Sequence, residues 1–158
     1  MGFNPCLAFT RRRAEMGSNW IYGVAVVRED DQFRAVCAEA PEAIAYGATE
    51  ADALREMAEA LKAVVRGRIH MKLDLVPPAG DPAAPHQVGL PAQLAAKASV
   101  YVAWRASGLS KVALGERLDR REGEVRRILD PDHRTGLDQL EEAAAALGGR
   151  LIVSFEAA

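Results

Sequence analysis

Four arginines, Arg120, Arg121, Arg126 and Arg127, lie within eight residues and share that stretch with Glu122, Gly123 and Glu124. A guanidinium carries its donors in a planar fork that fits the edge of guanine or a phosphate, a carboxylate accepts from cytosine, and a glycine lets a backbone come close. If Val125, Ile128 and Leu129 turn inward on a helix, Gly123 and Arg127 fall on its opposite side, with Glu122 and Arg126 flanking them. Such a face suits a DNA major groove. The plain alternative is a solvated helix whose arginines pair with Glu122 and Glu124. A second group, Glu29, Asp30, Asp31, Glu39 and Glu42, collects acids near strand ends and turns of the first half. They either attract a basic surface or are simply hydrated.

Other chemistry is poorly provided for. His70, His86 and His133 are scattered without metal-ligand spacing. Asp30 and Asp31 fall in a turn, and Ser154 lies in an apolar stretch with no histidine near it in sequence. Neither a Cys-x-x-Cys pair nor a phosphate-binding glycine loop occurs. The expectation is a protein that is not an enzyme and has no catalytic residues, no metal and no cofactor. Cys6 and Cys37 lie far apart, which fits structural thiols in a reducing cytoplasm better than a disulfide scaffold.

The elements that would position these groups are legible from periodicity. Residues 20–27 and 32–38 are β-branched and aromatic runs separated by Asp30-Asp31, as in a hairpin, and a third short apolar piece, 43–46, ends at Gly47. Thr49 then caps a helix in which Leu54, Met57, Ala58, Leu61, Val64 and Val65 recur at helical spacing, with Arg66 and Gly67 as stop signals. Residues 72–76 alternate as one more strand. The fold class is therefore α+β: a small three- to four-stranded sheet with one covering helix, followed by an all-helical part. In that second part Leu94, Ala95, Ala98, Tyr101 and Val102 mark one helix. Ser110 starts the next, residues 121–129 form a third and 137–147 a fourth, and 151–155 read as a short closing strand. The two helices joined at Asp119-Arg120 have the layout of a helix-turn-helix.

The proline-rich stretch 77–85 reads as a stiff linker. The resulting domain map is a flexible extension at 1–19, an α+β domain at 20–76, a linker at 77–89 and a helical domain at 90–158, with 1–76 expected to fold alone. At 158 residues, 49% hydrophobic and 27% charged, the chain suffices for one medium domain or two small ones. It has no apolar run long enough to span a membrane, and a cytoplasmic location is expected. Divided after Val76, each half carries a net charge of −1, so a DNA-binding role must rest on local arrangement rather than on a basic domain.

Two family resemblances follow. Residues 109–118 with 125–131 resemble the Xre-like helix-turn-helix, with small Gly115 midway along the first helix of the pair and aliphatic Val125 in the second. Asp119 stands where that family has its turn glycine. The resemblance places Lys111 and Arg121 at helix starts that meet phosphate. Earlier, Gly47, Thr49, Ala53 and Leu54 match the Gly-x-Thr-x-x-x-Ala-Leu start of the helix in the HicB domain, while Pro41-Glu42 replaces its usual Pro-Gly. Residues 20–76 and 89–155 together thus look like a HicB family antitoxin. This resemblance implies a partial RNase H-like fold that occludes a small mRNA-cleaving toxin of the HicA type. It also implies a helix-turn-helix that binds operator DNA to repress the operon. Because a near-neutral chain binds DNA weakly without specificity, a homodimer or higher homo-oligomer on a palindromic site is expected. No catalysis is implied, and Tyr22, Gly23, Val24 and Ala25 stand where an active RNase H core needs an inward acid to hold Mg²⁺. A stand-alone helix-turn-helix regulator, with a ligand-binding or dimerising α+β domain, is the alternative.

Overall fold

In the computed structural model, which describes residues 19–154, the first apolar run forms strand β1, Ile21–Glu29, and turns back at Asp30-Asp31 into β2, Gln32–Val36. Asp30 holds the turn with a left-handed φ of 51°, which aspartate tolerates better than most residues. Strand β3, Ile44–Gly47, pairs antiparallel with β2. The fourth strand is not 72–76. It is β4, His86–Gly89, which pairs antiparallel with β1 and gives the sheet order β3-β2-β1-β4. The segment read as a linker therefore ends inside the sheet. Residues 72–80 run irregularly because Pro77 and Pro78 have no N–H for a ladder, while Leu75 still drops into the core.

Helix α1, Glu50–His70, is capped by Thr49, whose Oγ1 accepts from the Asp52 N–H at 3.1 Å. Ala53, Met57, Leu61, Val65 and Ile69 form its buried stripe. The helix runs past Gly67, the expected stop, because Ile69 gains burial that outweighs the roughly 1 kcal/mol a helical glycine costs. Helix α2 is Ala92–Ser107, α3 is Lys111–Leu118, α4 is Glu122–Leu129 and α5 is Leu137–Ala146. The expected closing strand does not form over the described part of its range: residues 151–154 are irregular, with Ile152 and Val153 exposed. Phe155, Cys6 and the expected extension at 1–19, Asn19 apart, lie outside the described residues.

Two cores result, and α2 serves both. Leu94, Ala98 and Tyr101 join Trp20, Tyr22, Val24, Met57 and Leu61 on the covered side of the sheet. Val100 joins Leu114, Val125, Ile128, Leu129 and Leu140 in the helical core. Hydrogen bonds reinforce the junction: Trp20 Nε1 donates to Ser99 Oγ at 2.7 Å and the Tyr101 hydroxyl to the Leu73 carbonyl at 2.9 Å. Cys37 is buried with a free thiol, and burial raises its pKa. Among the described residues no helix is long and apolar enough to cross a membrane.

Candidate nucleic-acid interface and acidic rim

Helices α3 and α4 cross closely because Gly115 leaves room. A Cβ there would lie 2.7 Å from the Arg120 carbonyl oxygen. Ser110 Oγ accepts from the Ala113 N–H at 3.0 Å to start α3, and Asp119 ends it in the left-handed region at φ 50°. Asp119 thus fills the geometric role of the missing turn glycine. Helix α4 starts with the Arg121 N–H donating to Glu124 Oε2 at 3.1 Å, and it buries Val125, Ile128 and Leu129.

Gly123, Arg126 and Arg127 therefore lie exposed on the outer side of α4, with Glu122 half-buried beside them. Arg126 is held by Glu122 at 2.8 Å, one turn earlier, whereas Arg127 and Arg121 make no ion pair among the described residues. Among the described residues nothing within 4 Å would meet a Cβ on Gly123. Lys111 opens α3 with its ammonium 5.8 Å from the Trp104 ring centroid. Arg120 turns away: it pairs with Glu142 at 2.7 Å and Glu124 at 3.5 Å, which binds α4 to α5. The solvated-helix alternative thus describes Arg120 and, in part, Arg126, but not Arg121 or Arg127.

Beneath this face lies a residue that pattern reading passed over. Lys97 of α2 is 1% exposed, and its ammonium donates toward the carbonyls of Arg127, Ile128 and Asp130 at 3.0, 3.0 and 2.7 Å and to Thr135 Oγ1 at 2.8 Å. It closes the carbonyl end of α4, where a positive charge also meets the negative end of the helix dipole. Burial pulls its pKa down to about 8, against the opposing effect of Asp130 and Asp132. The signal was a lysine between Leu94 and Tyr101 on an otherwise apolar stripe.

The five acids of the first half stand at strand ends and turns, in two groups. Glu29, Asp30 and Asp31 lie at the β1–β2 turn, whereas Glu39 and Glu42 lie at the far end of β2, a five-residue strand of roughly 17 Å. Glu29 holds Arg34 at 2.9 Å, Glu39 accepts from the Ala79 N–H at 2.6 Å, and Glu42 holds Arg68 Nε at 2.8 Å. Asp30 and Asp31 have no ion-pair partner among the described residues. The scattered histidines also change meaning. His70 Nε2 lies 2.6 Å from Asp132, which Arg66 reaches at 3.2 Å, and ligand atoms of His70, Asp130 and Asp132 fall within 4.8 Å of one another. That cluster ties the end of α1 to the loop after α4. In β1, Tyr22 and Val24 point into the core and Gly23 and Ala25 away from it.

No family model matches the chain. Two curated proteins do. It is 32% identical to "Antitoxin HicB" of Pseudomonas fluorescens over 139 residues, which span 87% of this chain and 94% of that protein. It is 29% identical to "Antitoxin HicB 1" of Photorhabdus laumondii subsp. laumondii over 116 residues, 73% of this chain and 74% of the relative.

Proposed function

This chain belongs to the HicB antitoxin family, and from that premise we propose that it binds and blocks a small HicA-type, mRNA-cleaving toxin and represses its own operon through α3 and α4. The likeness over nearly the whole length of the first relative supports the antitoxin role. The observation that carries the DNA role is the outer side of α4, where Gly123, Arg126 and Arg127 stand in one stripe and where Arg127 and Arg121 have no ion-pair partner among the described residues. Arg127 reads a base edge, Gly123 admits the close approach, and Lys111 and Arg121 hold phosphates at the two helix starts. One short helix contacts one half-site, so a homodimer or higher homo-oligomer on a palindromic operator supplies the affinity that a net charge of −2 does not. The protein works in the cytoplasm, where both transcript and operator lie.

The protein is not an enzyme in this reading, since its first strand brings Tyr22 and Val24, not acids, to the core. The test is to co-express the full chain with the small basic protein encoded beside it, isolate the complex, and measure growth rescue and operator retention in a gel. A co-purifying ribonuclease whose toxicity is relieved, and a specific shift of operator DNA, are expected. The isolated chain is expected to cleave no RNA with Mg²⁺ or Mn²⁺. DNA binding without any toxin partner would instead favour the stand-alone regulator. RNA cleavage lost on Asp30→Asn or Asp31→Asn would overturn the non-enzyme reading.

A further inference from the structure

Helix α4 ends without help from its own backbone. Helices α1, α2, α3 and α5 each turn a C-cap N–H back onto a carbonyl of the last turn, as Gly108 does onto Arg105 and Asp119 onto Gly115 and Glu116. Among the described residues no such bond closes α4. Pro131 is the reason. It has no N–H to return, and its ring keeps Asp130 out of the helical region, at φ −76° and ψ 118°. The carbonyls of Arg127 and Ile128 are those that a glycine-type cap engages. Lys97 engages them instead, from another helix, with Nζ 3.0 Å from each oxygen.

That donor stands on a fixed base. Around Lys97 on α2, Leu94, Ala98 and Tyr101 are locked into the sheet's core and Val100 into the helical one. Burying an ammonium is costly, and a cap that only stops a helix needs no charge. What the buried contact adds is a set location for the last turn of α4, to which Arg127 belongs. A guanidinium reads a base edge through two parallel hydrogen bonds, a geometry that tolerates little displacement. We propose that Lys97 is a positioning residue for base recognition: by holding the backbone of Arg127 it fixes where that guanidinium enters the groove, although Lys97 itself is buried and does not touch DNA. This rests on the DNA reading above and adds the residue that sets its selectivity.

Lost stability and lost position differ in what they do to sequence preference. A chain that is merely less folded binds every duplex more weakly by one factor, whereas a displaced Arg127 loses preference at the base pair it reads. The test uses full chains at pH 7: wild type, Lys97→Met, Arg127→Ala, Lys111→Ala, and Lys97→Met combined with each of the other two. Each is titrated with the duplex that lies upstream of this chain's reading frame and with a panel in which its base pairs are changed one at a time, and thermal unfolding is followed in parallel. Lys97→Met is expected to lower discrimination roughly 5-fold or more at the base pair where Arg127→Ala lowers it. With Arg127→Ala already present it is expected to change that discrimination by less than about 2-fold, whereas its loss of affinity and that of Lys111→Ala should multiply. If Lys97→Met does not fold, Thr135→Val carries the readout, since it removes one oxygen from the ammonium and the 3.3 Å bond from Thr135 Oγ1 to the Arg127 carbonyl. Discrimination that the folded variant keeps, or loses equally with and without Arg127, overturns the proposal and leaves the DNA reading intact. If Arg127→Ala blurs no base pair, the base-reading assignment and the proposal fall together. A wild type that binds the upstream duplex no better than a scrambled one overturns the whole DNA reading.

Discussion

At Lys97 a single side chain is asked to satisfy the frayed end of a helix from the inside. Its ammonium has four oxygen neighbours within 3.0 Å, so it is far from an ordinary buried charge. Replacing it with methionine keeps the length and leaves the Ile128 carbonyl without its donor, at roughly 1–3 kcal/mol for that buried group, while the Arg127 carbonyl keeps only the 3.3 Å bond from Thr135 Oγ1. The pH dependence has a definite sign. The folded protein releases the Lys97 proton near 8 and the unfolded chain near 10.5, so between them the unfolded state holds more protons and this group's contribution to stability rises with pH. That contribution is fully present above 10.5 and lost as pH falls through about 8. Urea unfolding of wild type and Lys97→Met from pH 7 to 10.5 is expected to show wild type gaining on the variant as pH rises; parallel curves would refute it. At Arg127 the expected loss is of another kind. Arg127→Ala should weaken binding to the operator by about 1–3 kcal/mol and relax preference at one base pair. Lys111→Ala should weaken all sequences alike and lower the salt slope by about one. Fluorescence titrations on operator and scrambled DNA at several salt concentrations separate the two.

Among the elements, those with a strong internal pattern were legible. The β1–β2 hairpin, the Thr49 cap, the α3–α4 pair and the outer position of Gly123, Arg126 and Arg127 follow from period, cap and turn residues, because burial and periodicity are the same fact seen twice. What escaped were features decided by partners distant in sequence. His86–Gly89 carries little β signal of its own and becomes a strand because β1 offers it an edge. Residues 72–76 carry the better pattern but lead straight into Pro77-Pro78. The acids seemed grouped in sequence, yet the length of β2 separates them. Gly115 and Gly123 allow a paired test of the α3–α4 crossing. In Gly115→Ala the new methyl meets backbone that cannot swing aside, and overpacking should cost roughly 1–3 kcal/mol. Gly123→Ala meets nothing among the described residues and should hold or raise the melting temperature through helix propensity, while its methyl impairs DNA binding. Melting and operator titration of both variants would expose a wrong assignment if Gly123→Ala lost stability or Gly115→Ala did not.

On the scale of the molecule, the proline-rich stretch does not divide the chain into two parts that ignore each other. Helix α2 gives Leu94, Ala98 and Tyr101 to the sheet's core and Lys97 and Val100 to the helical one. Arg66 and His70 reach across to Asp132, and Arg105 pairs with Asp74 at 3.0 Å. These exposed pairs are worth little singly, so the shared apolar helix holds the junction. A fragment ending at residue 76 loses an edge strand and the cover of Leu94 and Tyr101. At about 1.5–3 kcal/mol for each large buried side chain, those two residues alone remove much of the roughly 5–15 kcal/mol that stabilises a domain. The fragment 1–76 is therefore expected to be unfolded or aggregated. A fragment ending at Gly108, which keeps β4 and all of α2, should fold with a cooperative melt but with Lys97, Val100 and Trp104 newly exposed. Circular dichroism, thermal unfolding and light scattering on both fragments provide the check. A cooperative, monomeric 1–76 with the melting temperature of the longer fragment would mean that β4 and α2 add nothing to the sheet, and that the proline stretch is a linker after all.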